Sequence, residues 1–402
     1  MRFATLLPFV FLLSNIDAAN PQVPAFRPVE VDSKIQIGYG LAVADVNGDG
    51  KPDILLADKK QFVWYENPTW KKHLLAENLT KQDNVCIAAR DLDGDGKAEI
   101  AVGAEWNPGD TVNSGAVFYL IPPQDRTQPW SPVELSHEPV THRMHWVKNW
   151  QGSYDLVVLP LHGRGNKNGE GAGVRILAYR KPENAKEPWP TRELDQTLHL
   201  THNFDPVQWD DDPAEELLVA AREGLFLINW ADGGFKLFPI GGKGPGDPGF
   251  AGAGEVRHGR LTNGRRFLAT VEPMHGTNTV IYTEPASSSS GNELWPRHVI
   301  DHSLNDGHAV GIGDLLHAGS DQVVVGWRAM GKQGAKVGIK LYTPMDADGK
   351  NWRATLIDDN TMACEDLKLA DLNGDGNIDI IAAGRGTHNV KIYFNERSGS
   401  SN

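Results

Sequence analysis

The stretch Leu41–Asp58, LAVADVNGDGKPDILLAD, places an acidic loop with two glycines between two short apolar runs. From Asp45 to Asp53 the loop reads Asp-x-Asn-Gly-Asp-Gly-x-x-Asp, so oxygen-bearing side chains stand at positions one, three, five and nine. The glycines at positions four and six permit a tight turn in which these oxygens can converge. Short apolar runs bounded by turn residues are typical of β-strands, so the segment predicts a hairpin around a loop with a ligand-like pattern.

The same unit recurs along the chain. Two further copies keep the acidic loop, CIAARDLDGDGKAEIAVGA (Cys86–Ala104) and DLKLADLNGDGNIDIIAAGR (Asp366–Arg385). Four other copies keep the second apolar run but have lost most of the loop carboxylates. The first loop position of the seven units falls at Asp45, Asp91, Val147, Gln208, His258, Asp314 and Asp371. Successive positions lie 46 to 61 residues apart, which indicates a repeat protein.

Each unit is predicted to fold as four short strands. The apolar runs are rich in Val, Ile, Leu and aromatic residues, and Gly, Pro and Asp turns separate them. The last unit supplies only three such runs before the chain ends, and residues 26 to 32 resemble a missing fourth strand. The sequence therefore predicts an all-β protein, a seven-bladed β-propeller closed by an N-terminal strand that completes the last blade.

The three intact loops are predicted to bind calcium. Several hard oxygen ligands on one tight loop suit Ca²⁺ better than Mg²⁺. Position twelve, a bidentate Glu in EF-hand loops, is Leu56 in the first copy, and strands rather than helices flank the loop. We therefore expect about three structural Ca²⁺ ions that hold hairpins together. The degenerate loops are expected to be metal-free, although Asp210, Asp212 and Glu216 leave a metal site open in the fourth unit. The predicted ligands are Asp45, Asn47, Asp49 and Asp53; Asp91, Asp93, Asp95 and Glu99; and Asp371, Asn373, Asp375 and Asp379.

The termini and the composition limit the classes of function. The opening residues, MRFATLLPFVFLLSNIDAAN, have the pattern of a secretory signal peptide, expected to span 1–19, and the run is too short to cross a bilayer. Residues 20–402 are expected to form one propeller domain, secreted or periplasmic, with no membrane span.

The formal charge of −13 argues against a nucleic-acid partner. The chain has only two cysteines, Cys86 and Cys364, and a disulfide between them is possible but not favoured.

Unusual polar residues are expected on the face opposite the acidic loops. The first strand of a unit enters the loop and the second leaves it, so the start of the first and the end of the second meet near the central funnel. Histidines and arginines recur at these places. The candidates for a catalytic centre are His142, His202, His275, His308, Glu272 and Arg328. The candidates for substrate binding are His162, Arg222, Arg385, His388, Glu365 and Trp327.

These residue types allow two kinds of chemistry. Imidazoles with a carboxylate such as Glu272 could hold Zn²⁺ or a similar divalent metal and leave one position open for substrate. They could equally act as general acid and base without a metal. Arginine can bind carboxylate, phosphate or sugar hydroxyls, and Trp106 and Trp327 offer flat faces of the kind that stack on sugars.

The acidic loops resemble the calcium loops of FG-GAP and VCBS repeats. With the segments THRMHWV (Thr141–Val147), THNFDPVQWD (Thr201–Asp210), RRFLATVEPMHG (Arg265–Gly276) and GHAVGIGD (Gly307–Asp314), the chain is similar to the propeller domain of aldos-2-ulose dehydratase and its bacterial relatives. That resemblance implies a divalent metal in the propeller and elimination of water from keto-sugars such as 1,5-anhydro-fructose. It also implies that His142, His202, His275 and His308 form the metal and acid–base centre. The fungal enzyme has additional cupin domains for an isomerisation step, so we expect elimination only.

Two classes of function follow from these observations. The first is a secreted carbohydrate lyase acting by β-elimination on a keto-sugar or related glycoside, including 3-keto-glycosides and uronate polysaccharides. The alternative is a non-catalytic secreted propeller that binds a glycan or a protein. Clustered imidazoles and arginines favour the enzyme, whereas the short loops favour the binding protein.

Overall fold

Every regular element of the described chain is a β-strand. A computed structural model describes residues 25–231, 234–242, 249–286, 293–330, 332 and 334–396. The expected signal peptide lies outside these residues. In the same ranges, no helix has the length and apolar character needed to cross a bilayer.

The strands follow one another in seven sets. The first strand is β1 (Phe26–Asp32). Blades one to three contain β2 (Gly40–Ala44), β3 (Asp53–Ala57), β4 (Gln61–Glu66), β5 (Lys71–Glu77); β6 (Cys86–Arg90), β7 (Glu99–Ala104), β8 (Ala116–Ile121), β9 (Ser131–Leu135); and β10 (Thr141–Lys148), β11 (Tyr154–Pro160), β12 (Ile176–Arg180), β13 (Thr191–Asp195). Blades four to seven contain β14 (Thr201–Val207), β15 (Glu216–Ala221), β16 (Gly224–Ala231), β17 (Gly234–Gly242); β18 (Glu255–Arg260), β19 (Arg266–Glu272), β20 (Asn278–Thr283), β21 (Arg297–Asp301); β22 (Gly307–Gly313), β23 (Gln322–Trp327), β24 (Gly338–Pro344), β25 (Trp352–Asp359); and β26 (Cys364–Ala370), β27 (Asp379–Gly384), β28 (Asn389–Asn395).

The chain closes into a ring through its first strand. Each blade is a four-stranded antiparallel sheet whose strands follow chain order, except that blade seven has the order β1-β28-β27-β26. Strand β1 pairs antiparallel with β28, so that Phe26 lies opposite Asn395 and Val29 opposite Ile392. The predicted seven-bladed propeller is therefore confirmed, and residues 26 to 32 complete the last blade as predicted.

The hydrophobic core consists of seven clusters, one between each pair of neighbouring blades. Strand β3 shows why the second apolar run of each unit is continuous: Ile54, Leu55 and Leu56 are fully buried because both faces of the sheet meet another blade. Burial of each such side chain contributes roughly 1.5–3 kcal/mol. Tryptophans at the starts of outer strands, such as Trp130 and Trp189, pack into the same clusters. Cys86 and Cys364 are buried free thiols on the inner strands of blades two and seven.

Candidate functional site

Four of the seven innermost strands carry a β-bulge at the same place. The register of β10 with β11 shifts at His142, and the register of β14 with β15 shifts at His202. Equivalent shifts occur at His308 in blade six and at Glu365 in blade seven. The inner strands of blades one, two and five pair with their neighbours without a shift. A bulge leaves one extra residue outside the ladder and re-aims its side chain, so the bulges lie at four residues predicted for the rim.

The bulged histidines are held by main-chain oxygens of the following blade. The Nδ1 of His142 lies 2.7 Å from the carbonyl oxygen of His202. The Nδ1 of His202 lies 2.5 Å from the oxygen of Gly254, and that of His308 lies 2.5 Å from the oxygen of Glu365. A carbonyl can only accept a hydrogen bond, so Nδ1 carries the proton in each ring. When such a ring is neutral, its Nε2 atom therefore carries an unprotonated lone pair.

Three imidazoles converge on one point in the funnel. His275 stands at positive φ (53°) in the turn between β19 and β20, and its Nε2 lies 2.7 Å from Nε2 of His202. The ring centroids of His202 and His308 are 5.3 Å apart, and those of His275 and His308 are 4.9 Å apart. Ligand atoms of these three residues all lie within 4.8 Å of one another. His202 and His308 are buried, whereas His275 is exposed to the funnel.

His142 lies beside this group rather than within it. Its ring contacts the ring of His202 at a centroid distance of 4.7 Å, and its other side stacks on Trp106 at 4.9 Å and 23°. His142 is 4 % exposed. Trp106 fixes the plane of the imidazole. Because Nδ1 is engaged by the oxygen of His202, Nε2 is the ring nitrogen left to exchange a proton.

The surroundings disfavour the charged form of three of these rings, those of His142, His275 and His308. Burial, followed by the Arg143 charge, lowers the pKa of His142 well below its usual range, and burial with the Arg328 charge does the same to His308. Burial and the charge of His202 also lower the pKa of His275. Neutral imidazoles with unprotonated Nε2 atoms are the form that binds metal ions.

A second layer of polar side chains lies directly behind the histidines. The Oε1 atom of Glu255 is 3.4 Å from Nδ1 of His202, and its Oε2 accepts a hydrogen bond from Asn203 at 2.5 Å. Arg143 donates to the main-chain oxygen of His142 at 3.0 Å. Sequence reasoning missed Glu255 and Arg143. Glu255 is the first residue of the inner strand of blade five, so the rule that selected His202 and His308 could have found it.

The rim arginines form a network around Glu365. This buried carboxylate accepts hydrogen bonds from Arg328 at 2.6 Å and from Arg385 at 3.0 Å. Arg328 also pairs with Asp306 at 3.0 Å, and the Arg385 guanidinium lies over the Tyr39 ring, 5.1 Å from its centroid. The network adjoins the histidines because the main-chain oxygen of Glu365 holds His308.

The structure does not place three of the predicted residues in this site. The carboxylate of Glu272 is 1 % exposed and engages Arg297 at 2.8 Å, Tyr282 at 2.7 Å and Thr270 at 2.8 Å, inside blade five. Trp327 is 6 % exposed in the core, where its indole nitrogen donates to the oxygen of Lys336. Arg222 donates to the oxygens of Asn168 and Gly169 and so fixes a loop.

The two remaining rim histidines lie away from the cluster contacts. His162 is half-buried, and burial together with the Arg222 charge lowers its pKa. His388 is exposed and bonds through Nδ1 to the main-chain oxygen of Gln36 at 2.9 Å. His162 follows strand β11 and forms an isolated bridge with Leu200, and its Nδ1 atom is buried without a hydrogen-bond partner among the described residues.

The acidic loops repeat one another in atomic detail. In the first, Asp45 accepts hydrogen bonds from the main-chain nitrogens of Gly48 and Gly50, both at 2.7 Å, and both glycines have φ of 82°. Asp91 and Asp371 make the same pair of bonds in the other two loops. The positive φ explains why glycine stands at positions four and six.

The ninth loop position is buried in each intact loop. Burial, with the charges of neighbouring loop aspartates, raises the pKa of Asp53 to about 7 and that of Asp379 to about 6. The pKa of Glu99 is raised by the same causes. A bound cation would offset the cost of ionising these acids. In blade four, Asp210, Asp212 and Glu216 also lie close enough to share an ion.

The histidine group has the chemistry of a zinc or related divalent site. Tetrahedral zinc with nitrogen ligands at 2.0–2.1 Å requires nitrogen atoms roughly 3.3 Å apart. The ligand atoms of His202, His275 and His308 lie within 4.8 Å of one another, and the Nε2 atoms of His202 and His275 are 2.7 Å apart, so the spacing brackets that value. Three protein ligands leave a fourth position open, as in catalytic zinc sites. His202 has a carboxylate close to its Nδ1 atom, an arrangement that orients metal-binding imidazoles.

The fold and its repeats define the class: the chain is a seven-bladed propeller with FG-GAP repeats. Residues 38–102 match the family model described as FG-GAP-like repeat, and residues 87–120 match that of the FG-GAP repeat. Residues 114–285 match the model described as the β-propeller domain of aldos-2-ulose dehydratase. The chain is therefore a propeller related to that domain. The matched range contains His142, His202 and His275, and it ends before His308.

Solved structures share the fold at low identity. A chain of the mitotic checkpoint complex has 10% identity and a TM-score of 0.52 over 98% of this chain and 98% of that chain. A chain in the structure of BBS1N in complex with ARL6DN has 14% identity and a TM-score of 0.50, over 93% of this chain and 98% of that chain. At such identities the likeness shows the fold alone. No curated protein matches the chain significantly.

Proposed function

We propose that this protein is a carbohydrate lyase that eliminates water or an alcohol from a keto-sugar or related glycoside. The observation that carries the proposal is the convergence of His202, His275 and His308, two of them with Nδ1 tied to a carbonyl. A structural ion would be enclosed by four ligands, whereas this set has three ligands and opens to the funnel. The relation of residues 114–285 to the dehydratase propeller supports the same reaction class.

The three histidines would hold a divalent cation such as Zn²⁺. When bound, such a cation polarises a sugar carbonyl and so acidifies the adjacent C–H group. His202 and His308 are fixed by their Nδ1 bonds, and His275 completes the set from the facing turn.

His142 is the proposed proton acceptor. Its Nδ1 proton is engaged by the oxygen of His202, so the α-proton of the sugar is taken up at Nε2. The electron pair of that C–H bond forms a C=C bond, and the C–O bond at the β-carbon breaks. The imidazolium then returns its proton to the departing hydroxyl, which leaves as water or alcohol. Trp106, stacked on the ring, stabilises the transient positive charge.

The remaining parts of the proposal concern binding and location. Arg385 and His388 are proposed to contact sugar hydroxyls, because His388 is exposed and Arg385 is partly exposed. The three acidic loops are proposed to hold Ca²⁺ as structural ions, on the strength of their repeated geometry. Export to the periplasm or outside the cell is proposed from the pattern of the first residues.

A direct assay tests the reaction. The purified protein, loaded with Zn²⁺ or Mn²⁺, is incubated with 1,5-anhydro-fructose and with a 3-keto-glucoside, and the α,β-unsaturated ketone is followed by ultraviolet absorbance. We expect product with at least one substrate, abolished in His202→Ala. A metal-loaded protein that turns over neither compound would instead support a propeller that only binds glycans or proteins.

A further inference from the structure

A second feature of interest lies on the opposite face of the propeller, in a groove between blades three and four. The groove is formed by the loop between β10 and β11, the outer strand β13 and the hairpin of β16 and β17. We name it the Trp150 groove and define it by five lining residues. They are Asn149, Trp150, Arg192, Trp230 and Phe235. Because this face carries the acidic loops, the groove is separate from the histidine cluster, and nothing below depends on the proposed lyase activity.

Two tryptophan side chains that line the groove are exposed to solvent. Of the three largely exposed aromatic side chains in the described ranges, Trp150 at 42% and Trp230 at 37% both line it. Trp230 is held by an edge contact with Phe235, at a centroid distance of 5.1 Å and an angle of 84°. Arg192 stacks over Phe235 at 4.5 Å. The indole of Trp230 is thus a fixed platform rather than a free side chain.

A buried amide donor adjoins the two indoles. Asn149 is 8 % exposed, and its oxygen accepts hydrogen bonds from Gln151 and Ser153 at 3.0 Å. Its Nδ2 atom has no hydrogen-bond partner among the described residues. A buried donor without a protein partner is unfavourable, so this amide is available to donate to a water or to a ligand that supplies an acceptor oxygen.

One loop that lines the groove corresponds, in the repeat, to the intact acidic loops of other blades. In the loop of blade three, Val147 stands where the intact loops have their first aspartate, so the main oxygen ligand is gone. The ninth-position carboxylate, Asp155, is paired with Arg180. Trp150 occupies the fourth position, which is glycine in all three intact loops. The loop has therefore exchanged an ion-binding pattern for an exposed indole and an amide donor.

The shape of the groove limits what it can hold. The groove has a volume of about 40 Å³; Val157, Leu194 and Ile228 make part of its lining apolar, and Lys148, Glu215 and Glu216 also line it. That volume holds a few water-sized groups rather than a whole sugar ring. A hydrocarbon ligand would cover the indoles and leave the amide of Asn149 unpaired. A sugar ring offers an apolar C–H face for the indoles and hydroxyl oxygens for the amide and for Arg192.

We propose that the Trp150 groove is a binding site for one saccharide unit of a glycan. The sugar ring lies across Trp150 and Trp230, one substituent enters the small cavity, and Asn149 donates its free amide proton to a ring or hydroxyl oxygen. The site holds glycan on the face opposite the funnel.

Binding of defined oligosaccharides tests the site. Cellohexaose, laminarihexaose, chitohexaose and hexagalacturonate are titrated separately into the full protein, with intrinsic tryptophan fluorescence and calorimetry as readouts. We expect at least one to bind with a Kd at or below about 1 mM. Trp150→Ala, Trp230→Ala and Asn149→Asp should each weaken that binding about tenfold or more. All three side chains can be changed without touching the inter-blade core, and circular dichroism verifies that each variant is folded.

Two controls separate this site from the funnel. Phe238→Ala removes a similarly exposed aromatic residue outside the groove, at 39% exposure, and should leave binding unchanged. His202→Ala/His308→Ala alters only the histidine cluster and should also leave it unchanged. The proposal is overturned if none of the four oligosaccharides binds, or if binding survives both tryptophan variants. Binding that is lost in the histidine double variant also overturns it, because the glycan would then occupy the funnel.

Discussion

The Nδ1 atom of His142 donates its proton to the main-chain oxygen of His202, 2.7 Å away. This bond links blade three to blade four, and it exists because His202 lies at a β-bulge whose carbonyl is released from the strand ladder. The same arrangement joins His308 to Glu365, between blades six and seven. The ring orientation of each histidine is thus set by the backbone of the following blade.

Replacement of His142 by glutamine should separate proton transfer from metal binding. His142→Gln keeps an N–H donor for the oxygen of His202 but removes the Nε2 lone pair. We expect metal content to stay at the wild-type level, while the elimination rate falls about 10²- to 10⁴-fold, the usual contribution of a general base. His308→Gln serves as the comparison and should lose both the bound metal and the elimination activity. A metal-free His142→Gln protein would make His142 a ligand instead.

Glu272 is expected to matter for stability only. Its buried carboxylate pairs with Arg297 and accepts hydrogen bonds from Tyr282 and Thr270. Glu272→Ala leaves a buried guanidinium without that partner, so we expect a loss of about 3–5 kcal/mol in the free energy of unfolding, measured by urea denaturation. Metal content measured on the folded fraction should not change. A Glu272→Ala variant with normal stability but no bound metal would show instead that Glu272 is a metal ligand.

Much of the fold was predictable from the sequence because the repeat carries its own turn chemistry. Gly48 and Gly50 stand at positions that require positive φ, and the apolar runs that follow the loops are buried on both faces. The closing strand β1 was predictable as well, since the last unit lacked a fourth strand. These are local signals, and each blade repeats them.

The candidate site was predictable in outline only. Strand starts and ends located His202, His275 and His308, but a strand end has two faces, and Glu272 points into blade five. Trp327 shows the same limit, since a tryptophan at a strand end can fill the core. The bulges are set by pairing between strands, which a single sequence does not display, so the bonds from the histidine rings to main-chain oxygens could not be derived from it.

The intact loops should make thermal stability depend on calcium. If Ca²⁺ binds only the folded chain, a concentration 100 times the Kd adds about 2.7 kcal/mol per site to the free energy of unfolding. Asp91→Ala should reduce the calcium-induced rise in Tm, measured by calorimetry with and without chelator. Asp314→Ala, in a degenerate loop, is the matched control and should leave that rise intact. An equal loss in both variants would show that the effect does not come from the intact loops.

The pH dependence of the chelated protein has a defined sign. Without calcium, burial raises the pKa of Asp53 to about 7 and that of Asp379 to about 6, from ordinary values of 3.8. Between about pH 4 and 7 the folded chain therefore holds protons that the unfolded chain has released, so stability falls as pH rises through this window. We expect the Tm in chelator to be higher at pH 5.5 than at pH 8, by an amount that calcium reduces. A difference that calcium leaves unaltered would assign the pH effect to other groups.

Elemental analysis of the purified protein tests the account most directly. Wild type and the His202→Ala/His308→Ala variant are prepared without chelator, supplied with Zn²⁺ or Mn²⁺, desalted and measured. The account predicts close to one transition-metal ion per wild-type chain, none in the variant, and about three calcium ions in both. A wild-type protein that retains no transition metal, or a variant that retains as much as wild type, would contradict a metal centre built on these histidines.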